Sequence, residues 1–183
     1  MSSKWTGKLT RWRPHKAGGE TYSLTHVHPF RYQIALPDMP GRPAERVEIQ
    51  VGFSSHVFTE GCTRAERAHA AYSTETDSRR FCVERYEFSK RLPDILQNIE
   101  HRKCFFTSRS NYFVLETSGL PRDREYRIFF DVRKMASRAV LLWIQSAYVG
   151  NSEELPSGRR KKKIGFRVLV RKALDCTRPH PPP

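Results

Sequence analysis

The sequence contains no long apolar run, which argues against a membrane-spanning helix. The longest candidate, residues 139–149, is shorter than the roughly 18 apolar residues that such a helix needs, and it is interrupted by Gln145 and Ser146. The N-terminal segment 1–16 is basic and contains no apolar block of the kind found in secretory signals. We therefore expect a cytoplasmic protein without a membrane partner.

Cysteines are few, and no two of them have the CxxC spacing. The four are widely separated, at Cys62, Cys82, Cys104 and Cys176. Such spacing does not indicate a disulfide framework, so we expect free thiols in a reducing compartment.

The sequence also lacks the common catalytic motifs. It has no phosphate-binding Walker loop, GxGxxG, GxSxG, HExxH or zinc-finger spacing, which argues against nucleotide cofactors, serine hydrolysis and zinc-protease chemistry. His26 and His28, together with His56 and a thiol, are the residues that would complete a metal site. Since no spacing connects these ligands, we predict neither a metal nor a cofactor.

Acidic residues are missing from two segments near the ends of the chain. Residues 1–19 contain five basic and no acidic side chains, and residues 157–172 contain eight basic and none acidic. Together they account for nearly all of the net charge of +14. Because cationic segments attract phosphates and release counterions on binding, we predict a nucleic acid partner, with RNA favoured over DNA. An acidic protein such as an inhibitor, anionic lipid, or no dedicated partner are the alternatives.

The whole chain has the length of one domain of ordinary size, with tails. We divide it into a basic N-terminal arm (1–28), a single α+β domain (29–172) and a proline-rich C-terminal tail (173–183). The aromatic residues of the arm, Trp12 and Tyr22 among them, would either stack on bases or pack back onto the domain.

Hydrophobic periodicity predicts an α+β fold, with an antiparallel sheet of about five strands and one or two helices on one face. Strand candidates are 30–36, 46–53, 79–88, 103–107, 111–117, 125–133, 138–149 and 164–171. Residues 139–144 are continuously apolar, as in a central strand that is covered on both faces. Helices are predicted at 64–72 and from Leu92 to near His101, with Pro93 in the first turn.

Polar residues follow two of these strands. His56 lies where the strand 46–53 ends, and a rigid strand end can present a histidine for proton transfer. Alternatively, His56 is a strand-end residue bonded to the backbone. Tyr148 follows the apolar strand as a candidate proton donor, unless its hydroxyl is bonded within the sheet. Arg80 and Arg85 are candidates for phosphate binding, or for surface ion pairs.

The order of elements over about residues 44–150, a strand, helical segments and then an antiparallel meander, resembles the metal-independent ribonuclease toxins of the barnase/EndoU/colicin/RelE-like fold group. The resemblance implies attack of a ribose 2′-OH on its neighbouring phosphate. In that reaction His56 would act as acid or base and Tyr148 as a second proton donor. Arg85 and Arg80 would stabilise the charge of the transition state.

The leading hypothesis is thus an intracellular nucleic-acid-directed protein, in its sharpest form a metal-independent endoribonuclease of toxin type. The first alternative is a non-catalytic nucleic-acid-binding module, and the second is an interaction protein that docks an acidic partner. The residues predicted to contact nucleic acid are Arg159, Arg160, Lys161, Lys162, Lys163, Trp12 and Arg13.

Overall fold

A computed structural model describes residues 9–63, 72, 77–107, 112–117, 119–151 and 162–177. Its strands are β1 (His15–Ala17), β2 (Glu20–Tyr22), β3 (Phe30–Leu36), β4 (Glu45–Phe53), β5 (Thr59–Gly61), β6 (Arg79–Phe81), β7 (Lys103–Phe106), β8 (Tyr112–Glu116), β9 (Arg124–Ala136), β10 (Ala139–Asn151) and β11 (Lys163–Gly165). Its helices are α1 (Val83–Ser89), α2 (Leu92–Gln97) and α3 (Phe166–Leu174). Short 3₁₀ turns lie at Thr25–Val27, Ser55–Val57 and Ile99–His101.

Seven of these strands form one mixed sheet. Their order is β11-β7-β8-β9-β10-β4-β3, while β1–β2 and β5–β6 form two separate hairpins. Neighbouring strands of the sheet are antiparallel except β10 and β4, which run parallel. The α+β class is confirmed, and the prediction of about five antiparallel strands is wrong. Alternation shows which residues of a strand share a face, but it cannot show the partner of a strand that pairs across half the chain.

The strand β10 is buried on both faces. Val140, Leu141 and Leu142 are each fully buried, although successive side chains of a strand point to opposite sides. The continuously apolar run therefore marks a central strand, as predicted. Strand β10 lies between β9 and β4 and positions both of them.

Helices cover one face of the sheet. The ring of Phe166 at the start of α3 contacts Phe130 of β9 with 6.4 Å between centroids, and Phe88 of α1 contacts the fully buried Tyr126 of β9 at 5.4 Å. The predicted helix at Leu92 is confirmed as α2, which the 3₁₀ turn Ile99–His101 extends.

Two predicted strands turn into helices after three residues. Residues 79–88 contain β6 and then α1, whose buried Tyr86 and Ser89 have helical spacing. Residues 164–171 overlap β11 and then α3, with Gly165 as the N-cap. In each case a short apolar run fits both periodicities, and contact with the sheet selects the helix.

Part of the predicted arm packs against the domain. The Trp12 ring meets Phe58 edge-on at 5.1 Å, and Tyr22 contacts Phe81 at 4.8 Å. Leu24 and Val27 are fully buried in the main core. The packing alternative is therefore what the structure shows for the aromatic residues of the arm that it describes.

Two further predictions can be compared with the described residues only in part. The predicted helix 64–72 falls almost wholly on residues outside them. Among the residues described, no helix has both the length and the apolar character to cross a membrane. The cytoplasmic compartment stays a prediction.

The first testable prediction concerns Gly52, which the arm crosses. A Cβ at Gly52 would lie 2.4 Å from Leu9 Cδ2 and 2.9 Å from Trp143 Cε3, closer than atoms can pack without displacement. Gly52→Ala should lower the free energy of unfolding by about 1–3 kcal/mol, measured by urea denaturation. Leu9→Ala in the same chain should restore part of the loss, since Leu9 is the nearer and more flexible neighbour.

Gly61→Ala is the matched control, because nothing lies within 4 Å of a Cβ there. Its stability should stay within about 0.5 kcal/mol of the parent. Equal urea midpoints for the two variants would contradict the close approach of the arm to Gly52.

Candidate active site

A β-bulge in β10 determines where Tyr148 points. The register against β9 shifts between Ile144, opposite Phe130, and Ser146, opposite Phe129. Because Phe129 and Phe130 lie on opposite faces of β9, the shift moves the side chains after it to the other side of the sheet. Tyr148 consequently stacks on Phe129, with ring centroids 5.6 Å apart and an interplanar angle of 15°. Its ring therefore lies on the face opposite the one that α3 covers.

The 3₁₀ turn Ser55–Val57 follows β4 and carries His56. Ser54 fixes the start of this turn: its N–H donates to the carbonyl of Ile144 at 2.9 Å, and its Oγ accepts the N–H of His56 at 3.2 Å. Thr59 closes it by donating its hydroxyl to the carbonyl of Ser55 at 2.8 Å. The His56 side chain remains 39% exposed, so its ring is accessible to solvent while the turn that carries it is fixed.

The carboxylate of Asp77 contacts the His56 ring, with 3.1 Å between Oδ2 and Nε2. Arg79, itself 8% exposed, holds that carboxylate through Nη1 at 3.0 Å. Its other nitrogens bind Thr59, with Nε donating to Oγ1 at 2.7 Å and Nη2 to the carbonyl at 2.9 Å. The buried guanidinium thus joins the strand ends of β5 and β6 and orients Asp77 toward His56.

Arg85 connects the histidine turn to Tyr148. Its Nη1 donates to the carbonyls of His56 at 3.1 Å and Thr59 at 2.9 Å, and its Cζ lies 5.1 Å from the centroid of the Tyr148 ring. That distance is within the range of cation–π attraction. His56, Arg85 and Tyr148 therefore come together from the turn after β4, from α1 and from β10. With Asp77 and Arg79 they form what we call the His56 cluster.

The surroundings of His56 favour its neutral form. Burial lowers the pKa of the imidazole, and the guanidinium of Arg79 lowers it further, while the Asp77 carboxylate raises it. Arg85 adds a smaller lowering effect. At neutral pH the ring is uncharged, and because Nε2 faces the Asp77 carboxylate, Nδ1 is the nitrogen that remains to accept a proton. This is the state that a general base requires.

Arg80 is separated from this cluster, although it was predicted as a member. Neighbouring residues of a strand face opposite ways, and Arg79 is the one that turns inward. Arg80 instead forms an ion pair with Glu60, its cross-strand neighbour, at 2.8 Å from Nη2 to Oε1. The surface ion pair, which was the alternative, is what the structure shows for Arg80.

Sequence reasoning did not include Asp77 among the candidate residues and assigned no role to Arg79. The composition of residues 73–78 is that of an ordinary polar loop, so it gave no reason to single out Asp77. Which of Arg79 and Arg80 points inward depends on the register of the three-residue strand β6, which the sequence does not show. The available signal was an acidic residue two positions before an arginine, near a histidine-bearing strand end.

The predicted basic run divides between described and undescribed residues. Arg159, Arg160 and Lys161 lie outside the described residues. Lys162 accepts the Phe106 N–H at its carbonyl, 3.1 Å away, and Lys163 begins β11 at the edge of the sheet. Strand β11 is four strand spacings from β10, or ~19 Å. The lysines therefore stand apart from the His56 cluster.

The arm residues that were assigned to nucleic acid differ in exposure. Trp12 is half-buried through its contacts with Phe58 and Tyr72, whereas Arg13 is exposed. Their contact with nucleic acid stays a prediction, and the packed ring of Trp12 leaves little of its face for a base.

The histidines considered for a metal are engaged in hydrogen bonds. The Nε2 of His26 lies 2.7 Å from Ser89 Oγ, and the Nε2 of His28 lies 2.9 Å from the carbonyl of Trp12. Within the described part of the chain, no group of three or more histidine, cysteine or acidic residues is arranged to hold a metal ion.

Comparisons with known proteins give one match. The model of a family described as the YjaZ family matches residues 14–174, a range that includes every residue of the His56 cluster. No curated protein matches the chain, and no solved structure matches it. The resemblance to the ribonuclease toxins stays a prediction.

The second testable prediction concerns the ionisation of His56. Because the Asp77 carboxylate raises the pKa of the imidazole, Asp77→Asn should move the His56 titration to lower pH, measured by NMR on the imidazole C–H signals. The parent itself should titrate below the ordinary value of 6.5. Asp38→Asn, in the loop at the far end of the β3–β4 hairpin, is the control and should leave the curve in place. A parent titration above 6.5 would contradict the described environment.

Proposed function

The chain belongs to the YjaZ family, and for this member we propose a metal-independent endoribonuclease that cleaves RNA by attack of the ribose 2′-OH. One observation carries the proposal: an accessible histidine, whose pKa is lowered by burial and by Arg79, lies against a carboxylate beside two guanidinium groups. Such a group can take a proton from a substrate that is itself anionic. RNA fits because its phosphates complement the net charge of +14.

Cleavage requires a base, an acid and a cation, and the cluster contains a candidate for each. His56 takes the proton of the 2′-OH through Nδ1, and O2′ forms a bond to phosphorus. The bond from phosphorus to O5′ then breaks as Tyr148 donates its phenolic proton to the departing oxygen. His56 then releases its proton to solvent, and solvent returns a proton to Tyr148. The products are a 2′,3′-cyclic phosphate and a 5′-hydroxyl, so atoms and charges balance without an added reactant.

Arg85 is the proposed stabiliser of the phosphorane charge. Its Nη1 binds two backbone carbonyls, which leaves the N–H groups of Nε and Nη2 without a hydrogen bond to any residue that the structure describes. A guanidinium held in this way needs no reorganisation when charge develops on the phosphate. Its cation also lies over the Tyr148 ring, which brings the proposed acid and the proposed phosphate ligand to one position.

Asp77 and Arg79 are proposed as positioning residues. The carboxylate selects the tautomer of His56 by accepting from Nε2–H and stabilises the imidazolium that forms when the base takes a proton. Arg79 keeps that carboxylate in place and, by lowering the pKa of His56, keeps the base unprotonated in the resting enzyme.

The third testable prediction is cleavage of labelled RNA in the presence of EDTA. His56→Ala should reduce the rate by about 10²–10⁴-fold, and Tyr148→Phe should reduce it by removing the proton donor. The rate should rise as the pH rises through the pKa of His56, since the base must be unprotonated. Gel analysis should show 2′,3′-cyclic phosphate ends, and 2′-O-methyl RNA should stay intact because its nucleophile is blocked.

His101→Ala is the matched control, because His101 is exposed on the turn after α2 and should be replaced without effect. Cleavage that survives His56→Ala would overturn the assignment of the base. Salt-sensitive binding of RNA without cleavage would overturn the catalytic proposal in favour of a non-catalytic binding module. Preference for an acidic protein over RNA would favour the interaction protein.

A further inference from the structure

A groove lies between the arm and the edge of the sheet, on the face opposite the one that α3 covers. It has a volume of about 610 Å³ and is bounded by Thr10 and Arg11 on the arm, by Phe30 and Arg31 on β3 and by Gln50 on β4. This volume falls within the range of ligand sites in proteins, roughly 300–1,000 Å³. Two of the residues on its walls are arginines.

The two walls are fixed to each other. The His28 ring bonds the carbonyl of Trp12 at 2.9 Å, and these residues adjoin the two walls, because Trp12 follows Arg11 and His28 precedes the segment Pro29–Arg31. The Trp12 ring is in turn packed on Phe58. Gly52 lets Leu9 approach the sheet beside the groove. The opening therefore exists before any ligand binds.

Both arginines of the groove are accessible. Arg31 lies 3.8 Å from the Glu48 carboxylate, with 64% of its side chain exposed, which is a loose surface pair of little energetic value. Arg11 is exposed, and none of the described acidic side chains forms an ion pair with it. A ligand phosphate would displace water from these groups rather than a strong partner.

The groove and the His56 cluster share one face and one strand. Arg31 pairs with Gln50 and Gln50 with Leu141, which places Arg31 on the same side of the sheet as Leu141 and, beyond the bulge, Tyr148. Phe53 lies three positions after Gln50 on β4, or ~10 Å along the strand, and the turn that carries His56 begins two residues later. A single strand of a few nucleotides is long enough to contact both.

We propose that this groove binds the RNA strand beside the scissile phosphate, with Arg11 and Arg31 contacting backbone phosphates. Proteins that bind single-stranded nucleic acids use a cationic groove to follow the backbone in this way. The inference rests on the nucleic-acid partner of the proposed function. It predicts that the RNA strand runs from the turn that carries His56, along β4, into the groove.

The test uses binding rather than cleavage. The full-length protein is titrated into fluorescein-labelled 2′-O-methyl RNA of twelve nucleotides, which cannot be cleaved, and binding is followed by anisotropy at several salt concentrations. The double variant Arg11→Gln/Arg31→Gln should bind on the order of tenfold more weakly. The slope of log K against log[salt] should become shallower by about 1.4, since each phosphate contact on a single strand contributes about 0.7.

The matched control removes two positive charges elsewhere. Arg46 is exposed at the start of β4, and Lys172 is exposed on α3. Arg46→Gln/Lys172→Gln should leave the affinity within about twofold of the parent, an expectation from their distance to the groove. Circular dichroism and urea midpoints check that each variant folds like the parent.

The outcomes separate the groove from the catalytic proposal. Loss of binding in the groove variant, whether or not the parent cleaves RNA, supports the groove. Equal weakening in both double variants, or none in either, overturns it even if the parent is a nuclease that depends on His56. Competition by polyglutamate as effective as unlabelled RNA overturns it in favour of an acidic protein partner.

Discussion

The structure depends on the burial of β10. Its apolar residues are covered on both faces. This burial joins β4, from early in the chain, in parallel to a strand that begins only after residues 54–138 have intervened. The pairing of β4 with β10 also brings together the two strands whose ends carry His56 and Tyr148. Ser54, at the end of β4, bonds the carbonyl of Ile144 in β10, so the turn that carries His56 is attached directly to the strand that carries Tyr148.

A second constraint is the buried guanidinium of Arg79. Burying a charge is costly unless it is paired and hydrogen-bonded, and Arg79 meets this requirement with one carboxylate and two oxygens of Thr59. The same contacts that satisfy the charge leave Asp77 beside His56. Stability of the β5–β6 hairpin and the ionisation of His56 are therefore coupled, because the cation that holds the carboxylate also disfavours protonation of the ring.

Hydrophobic periodicity predicted an element correctly where a single helical or strand pattern covered the whole segment. It was misleading where a short strand is followed at once by a helix. Strand β4, helix α2 and the doubly buried β10 follow from local patterns. The helices α1 and α3 do not, since each begins one or two residues after a short strand, and neither does the parallel pairing. In the site, His56, Arg85 and Tyr148 were predicted as candidates, but their proximity depends on a bulge at Ile144–Ser146 that reverses the expected face of Tyr148. No alternation pattern shows such a bulge.

The positions of the cations favour an extended ligand over a compact one. Register pairs Lys163 with Phe105, Phe105 with Phe113, and Phe113 with Phe129, so Lys163 shares the face on which Tyr148 stacks. Arg31 lies on that face too, at the opposite edge. A small anion could engage one of these groups, whereas a polyanion laid across the strands could engage them in sequence. Because exposed charges interact over only about 8–10 Å at physiological salt, such widely spaced cations act together only on a ligand long enough to contact each of them.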